Sequence, residues 1–555
     1  MNGFTVKAAC TPDVADSAGL RELVEQYAAI LSAIIRCPDD PWSKGIPEIP
    51  LDSSPVNDIV PSEVAQNDSE VWDNRFHGFR ELLSTATKIP SSKILPRTHL
   101  AALGIDSITA IQIVAKARRL GLRLTAAEIV RSRSVGDLLR RLEESDSSAA
   151  DDVVRTASAD VPRARWSVIL PTNVHELVER VTNATPGMEW LIGMWQRSKG
   201  SRFQHTFGFH IASDVDSARL QDAWYKLIHR HAILRSSFAY DEDLEAPVVV
   251  IYKSEGLTSL WTEEALPASD DDLATVQHRM KTLVSHPPPM DRPLTRAILL
   301  QSSRGRYLLI HLHHFQYDAW SLPLLVDDLL HIYAGEHPRS STDLDSFLAS
   351  IAPCTETEQE QMNYWRTAFA ESRLPTPFPP LCEQPASVVR FVHTDYSAIS
   401  GAMALDQRAR DLAISLQSVF LASWAQVHGN RAASDNITFS LWHSGRTGNL
   451  KGIDRLAAPC INILPFHVTG ARRDDTLALA RQIQDDLQAR NAVVEQSRLL
   501  NVHKWAGIGA SPLSNVFVNI VKIAPEVGGT TDAALKTLDV RDLLHMTSRV
   551  VLIFV

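Results

Sequence analysis

The stretch RYLLIHLHHFQYDAWSLPLL, residues 306–325, ends an apolar run in two adjacent imidazoles, His313 and His314. His311 lies just before them and Asp318 just after. Strand alternation puts His311 and His313 on one face and His314 on the other. Three uses compete for these side chains. They can be core histidines with satisfied hydrogen bonds. His311, His313 and Asp318 can be metal ligands, although no HExxH-type motif accompanies them. Or an imidazole can take a proton from an attacking amine or hydroxyl near neutral pH, with the carboxylate organising the site. A second reactive group lies far upstream in LGIDSITAIQIV, where Ser107 follows Asp106 at the start of a helical pattern. Alone it reads as an N-cap serine. The positive end of a helix also favours a phosphodiester on a hydroxyl there.

Composition narrows the setting. The 555 residues exceed one ordinary core and imply two or three units. A net charge of −10 argues against a nucleic-acid binder, which needs a basic face. Cys10, Cys37, Cys354, Cys382 and Cys460 are scattered without CxxC spacing, as reduced thiols would be. No apolar run has the length of a membrane span. The start, MNGFTVKAAC, lacks the charged-then-apolar pattern of a secretory signal. These features predict a cytoplasmic protein with no membrane partner.

Several elements must position the reactive groups. Residues 17–36 have helical periodicity, with Leu20, Leu23, Val24, Tyr27, Leu31 and Ile34 on one face, and CPDDPW stops the pattern. Residues 43–69 read as a polar, proline-rich linker. Residues 70–145 read as a compact four-helix unit whose second helix ends at Gly121. A small polar linker covers 146–165. From 166 onward strands such as FQHTFGFHI, APVVVIY, RYLLIHLHH and NITFSLWH alternate with helices. That alternation predicts an α/β region of two lobes around one cleft.

The quoted stretches resemble two families. LGIDSITAIQIV on its small helical unit resembles the L-G-x-D-S motif of peptidyl carrier domains. That resemblance implies 4'-phosphopantetheine on Ser107, flanked by Asp106 and attached by a phosphopantetheinyl transferase. HHFQYDA resembles the H-H-x-x-x-D-G motif of condensation domains in nonribosomal peptide synthetases. HRHAILRSSF, QMNYWRTAF, SGRTGNLKGIDRLAAPCINILPFHV and SPLSNVFVNI resemble further ordered elements of that family. The implied fold is multidomain: a four-helix carrier followed by a two-lobed α/β condensation domain of the chloramphenicol-acetyltransferase type. The implied catalytic set is His313, His314 and Asp318, with proton management by His314. Asp318 is expected to pair with an arginine, Arg235 first and Arg230 second, and Asn462 to support the cleft from the second lobe. Ala319 stands where the motif has glycine, which matters only if the backbone there needs positive φ.

The resemblance further implies amide or ester formation between carrier-bound acyl or aminoacyl groups. Adenylation and other carrier domains of a parent assembly line would supply them. The YDAWSLPLL variant and the carrier–condensation order resemble fungal siderophore synthetases and suggest a hydroxamate product. Residues 1–42 are similar to the closing part of an upstream condensation domain. Residues 166–555 are expected to lack the closing elements of their own second lobe. The rivals are a coenzyme-A-dependent acyltransferase, in which Ser107 would have no role, and a non-catalytic carrier scaffold.

Overall fold

A computed structural model describes residues 3–10, 17–36, 72, 76–105, 107–122, 124–147, 160–200, 202–255, 257, 260–266, 271–286, 291–302, 305–338, 344–352, 355–370, 392–400, 402–447, 450–473, 475–491, 493–507, 514, 516–521, 535–537 and 549–554. The linker read at 43–69 and most of that at 146–165 lie outside them.

The small unit folds as four helices, His77–Thr87, Ser107–Ala117, Ala126–Arg131 and Val135–Ser147. Their apolar faces close on Phe79, Leu83, Ile94, Leu103, Ile111 and Leu138. Polar residues between the helices fix the helix starts. Thr125 accepts the Glu128 amide while the Glu128 carboxylate accepts the Thr125 amide, a reciprocal cap. Gly121 takes the left-handed conformation (φ +76°) after the second helix, as its position predicts.

The first lobe carries a five-stranded sheet in the order Leu535–Thr537, Gln204–Ile211, Arg306–His313, Arg296–Gln301, Trp261–Ala265. A three-stranded sheet, Val178–Asn183, Ala246–Tyr252 and Ser236–Asp241, stands beside it. The run Arg306–His313 is nearly continuous in hydrophobicity because it is central and both faces are covered. The second lobe holds a six-stranded sheet in the order Asn462–Thr469, Asn436–His443, Val516–Val521, Arg549–Phe554, Gly3–Cys10, Val392–Ser400. Two helices, Ala402–Asp411 and Leu416–Ala432, pack on this sheet.

Segments from both ends of the chain join the second lobe. The helix Ser17–Arg36, read as a leftover of another domain, packs into this chain's own second lobe. Its Leu20, Val24, Tyr27 and Leu31 are buried against Val419, Trp424 and Phe439. The Tyr27 hydroxyl donates to the Phe420 carbonyl at 3.2 Å, and Arg431 pairs with Glu22 at 2.7 Å. Burial stabilises by roughly 1.5–3 kcal/mol for each large apolar side chain, so this helix is a core element. Among the described residues the second-lobe sheet also takes up a strand near the end of the chain. The strand Arg549–Phe554 pairs with Val516–Val521 on one side and Gly3–Cys10 on the other. Periodicity showed an amphipathic helix; it could not show which core receives the apolar face.

Candidate active site

The two adjacent histidines part company at the end of the central strand. His313 turns into the first-lobe core and is 1 % exposed. Its Nδ1 accepts the Phe315 amide at 3.2 Å, and Trp195, Phe238 and Phe315 surround the ring. Burial, with His314 and His205 nearby, drives its pKa far below the ordinary range. A buried neutral ring in an aromatic cage suits a packing role, whereas His314 stands in the turn that follows. His311 is also a core residue: its Nε2 donates to Gln204 Oε1 at 3.1 Å and its Nδ1 accepts from Thr206 at 2.9 Å.

His314 opens a tight turn, His314–Gln316, at the seam between the lobes. Its amide donates to the Phe203 carbonyl at 2.7 Å. Its Nδ1 lies 2.9 Å from the Tyr317 carbonyl. A carbonyl only accepts, so Nδ1 carries the proton and Nε2 keeps its lone pair. The Tyr317 ring stacks on the imidazole at 4.8 Å and 7°. The Tyr317 hydroxyl is hydrogen-bonded to His205 Nδ1. Trp442 approaches from the second lobe at 6.2 Å. Burial lowers the His314 pKa, against the opposing effect of the Tyr317 carbonyl. The ring is therefore neutral at pH 7 and ready to accept a proton. His205, Tyr317, Phe203 and Trp442 were missed by the sequence reading. His205 and Phe203 were legible only as strand alternation, and Trp442 as the end of another strand.

Asp318 is not placed to touch substrate. It is 2 % exposed, and both its oxygens are engaged. Oδ1 accepts the amides of Trp320 at 3.0 Å and Ser321 at 2.6 Å, while Oδ2 accepts the Cys460 amide at 2.9 Å. Arg446 Nη2 reaches both oxygens at 3.1 Å. The arginine partner is thus Arg446, and neither Arg235 nor Arg230 fills that place. Arg235 instead pairs with Glu179 and donates to the Tyr252 carbonyl at 2.7 Å. Arg230 lies 3.8 Å from Asp328. Both belong to the first lobe, whereas the arginine that holds Asp318 comes from the second. Its signal was present in SGRTGNL, but nothing local ties that stretch to residue 318. With Asp318 held in this way, the metal set of His311, His313 and Asp318 is not assembled, and no other such cluster occurs among the described residues.

Asn462 acts at the edge of the site. It opposes His443 in the sheet and donates to the carbonyls of Val494 at 2.6 Å and Ser497 at 3.0 Å. Ala319 does not adopt positive φ, so the missing glycine costs nothing there. Ser107 is the first residue of the helix Ser107–Ala117, after Gly104 at φ +69°. A phosphodiester on that residue would sit at the positive end of the helix, so the position fits the implied group. Asp106 lies outside the described residues.

The buried histidines make stability depend on pH. Burial holds His205 at about 3 and His311, His428 and His467 each at about 4. In the unfolded chain each titrates near 6.5. Between those values the unfolded state binds protons that the folded state refuses, so stability falls as pH falls below 6.5. The expected slope approaches about 1.4 kcal/mol per pH unit for each such histidine. Urea unfolding at about pH 7.5 and about pH 5 tests this; an unchanged midpoint would contradict the neutral, buried assignment.

Comparison with known proteins converges on the same two units. Residues 189–503 match the condensation domain family, and residues 77–142 match the phosphopantetheine attachment site family. The nonribosomal peptide synthetase NPS2 of Ceriporiopsis subvermispora is 44% identical over 97% of this chain and 22% of that protein. The coprinoferrin synthetase of Coprinopsis cinerea is 34% identical over 94% of this chain and 22% of that protein. The ferrichrome siderophore peptide synthetase of Mycosarcoma maydis is 27% identical over 79% of this chain and 11% of that protein. The chain therefore spans less than a quarter of the length of these curated relatives. Among the described residues no helix is long and apolar enough to cross a membrane.

Proposed function

This chain belongs to the condensation domain family and carries a phosphopantetheine attachment domain ahead of that region; from this we propose that it holds an acyl or peptidyl thioester at Ser107 and joins carrier-bound groups through an amide or ester bond at His314. The observation that carries the reading is the His314 tautomer. Its Nδ1 proton is tied to the Tyr317 carbonyl, which leaves Nε2 basic at the lobe seam. When bound, phosphopantetheine supplies the thiol that carries the acyl group as a thioester. His314 accepts the proton of the attacking amine or hydroxyl at Nε2 as the nucleophile meets the thioester carbonyl. As the new amide or ester bond replaces the carbon–sulfur bond, the proton held at His314 Nε2 would pass to the departing thiolate and leave the imidazole neutral. Tyr317 and His205 keep the imidazole in register, and Asp318 holds the turn that presents it.

The relatives include synthetases named for coprinoferrin and for the ferrichrome siderophore. That supports hydroxamate siderophore assembly as the setting. The reading requires a phosphopantetheinyl transferase as partner, and adenylation and further carrier domains to activate and deliver substrates. It places the chemistry in the cytoplasm, which suits the scattered cysteines.

The test begins with coenzyme A and a broad-specificity phosphopantetheinyl transferase. The parent chain is expected to gain the mass of one arm, and Ser107→Ala none. The loaded parent should then form product with an aminoacyl carrier in a single turnover. Acyl transfer from free acyl-coenzyme A that Ser107→Ala leaves unchanged would instead identify a coenzyme-A-dependent acyltransferase.

A further inference from the structure

The small helical unit is seated on the second lobe, and one of its contacts reaches the catalytic turn. At one end, Arg410 of the helix Ala402–Asp411 donates to the carbonyls of Leu103 at 2.6 Å and Thr87 at 3.2 Å. Gly104 makes room for it: a β-carbon there would lie 2.6 Å from the Arg410 guanidinium carbon. Elsewhere, Gln488 donates to the Arg131 carbonyl at 3.1 Å. At the far end of the attachment helix, Arg118 forms an ion pair with Asp454 at 3.0 Å. The Asp454 side chain is 3 % exposed, so its charge is removed from water and faces an arginine of the other domain.

Asp454 lies in the short turn Ile453–Arg455, whose carbonyls support the catalytic loop. The Asp454 carbonyl accepts the Trp320 indole N–H at 2.8 Å. The Ile453 and Leu456 carbonyls accept Arg446 Nη1 at 2.7 and 3.0 Å. Trp320 and Arg446 both hydrogen-bond Asp318, four residues from His314. Trp320 also packs against the core of the helical unit.

We propose that the Arg118–Asp454 pair couples carrier docking to the catalytic turn: the seated carrier holds residues 453–456 where Arg446 and Trp320 can fix Asp318. Asp454 is then a positioning residue, acting through the turn and not on substrate. The inference rests on the condensation reading above. It differs from simple docking in one consequence. Losing the contact disturbs the catalytic turn even when the substrate is not on the carrier.

The test uses the full chain without its phosphopantetheine arm. Hydrogen exchange is followed at amides 453–458, and turnover is measured with soluble acyl-pantetheine donor and aminoacyl-pantetheine acceptor. Arg118→Glu places like charges together. It is expected to speed exchange at the turn and lower kcat, each by about tenfold, with KM for the donor little changed. Arg118→Lys should stay near the parent. Adding Asp454→Asn to Arg118→Glu removes the repulsion and should recover part of both losses, which a general folding defect would not do. Unchanged exchange in Arg118→Glu overturns the proposal, whatever the activity. So does unchanged kcat with soluble thioesters, which would reduce the contact to docking alone. If the parent turns over neither substrate, the condensation reading fails, while the exchange measurement still decides the contact.

Discussion

Replacing His314 with alanine is expected to lower single-turnover condensation by about 10²–10⁴-fold, the range for loss of a positioned proton acceptor. Loading of phosphopantetheine at Ser107 should be unaffected, because that residue belongs to a separate helical unit with its own core. The variant should also stay folded. His314 is only partly buried, and its ring makes one hydrogen bond, to the Tyr317 carbonyl. The neighbouring His313→Ala should behave in the opposite way. It empties a fully buried site among Trp195, Phe238 and Phe315 and leaves the Phe315 amide without its acceptor. The expected cost is about 2–5 kcal/mol of stability. Intact-mass detection of product and urea unfolding, applied to both variants, separate the two roles. A parental rate in His314→Ala would remove this residue from the chemistry.

Arg446→Met is expected to cost about 3–5 kcal/mol, because it leaves the Asp318 carboxylate buried without its charge partner. Arg446 is wholly buried and donates to the Ile453, Leu456 and Ala458 carbonyls as well as to Asp318. The loss is therefore of a network that ties the second lobe to the turn that follows His314. Arg446→Lys should recover little, since one ammonium cannot reproduce the planar fork that meets three carbonyls and a carboxylate. Asp318→Asn should cost about as much: its amide oxygen can still accept from Trp320 and Ser321, but its NH2 would face the Cys460 amide and leave Arg446 buried without its charge partner. Condensation should fall with stability in both Arg446 variants although His314 is intact. Chemical unfolding beside single-turnover assays measures this; an Arg446→Met protein within about 1 kcal/mol of the parent would show that the pair is dispensable.

The parts of this protein that the sequence alone determined are local. The serine at the head of a helix, the Thr125–Glu128 cap, the strand that ends in two histidines and their opposite faces all depend on residues a few positions apart. Ordered motifs then carried the resemblance to a carrier and a condensation domain. Tertiary structure decided which of the paired histidines meets the seam and which arginine holds Asp318. The two acidic and basic partners lie 128 residues apart, in different lobes. It also decided that the first helix packs into the second lobe, with a contact between Tyr27 and Phe420 across 393 residues. Periodicity and charge give each segment a face or a sign. The partner of that face or charge is set only when separate segments compete for the same buried space.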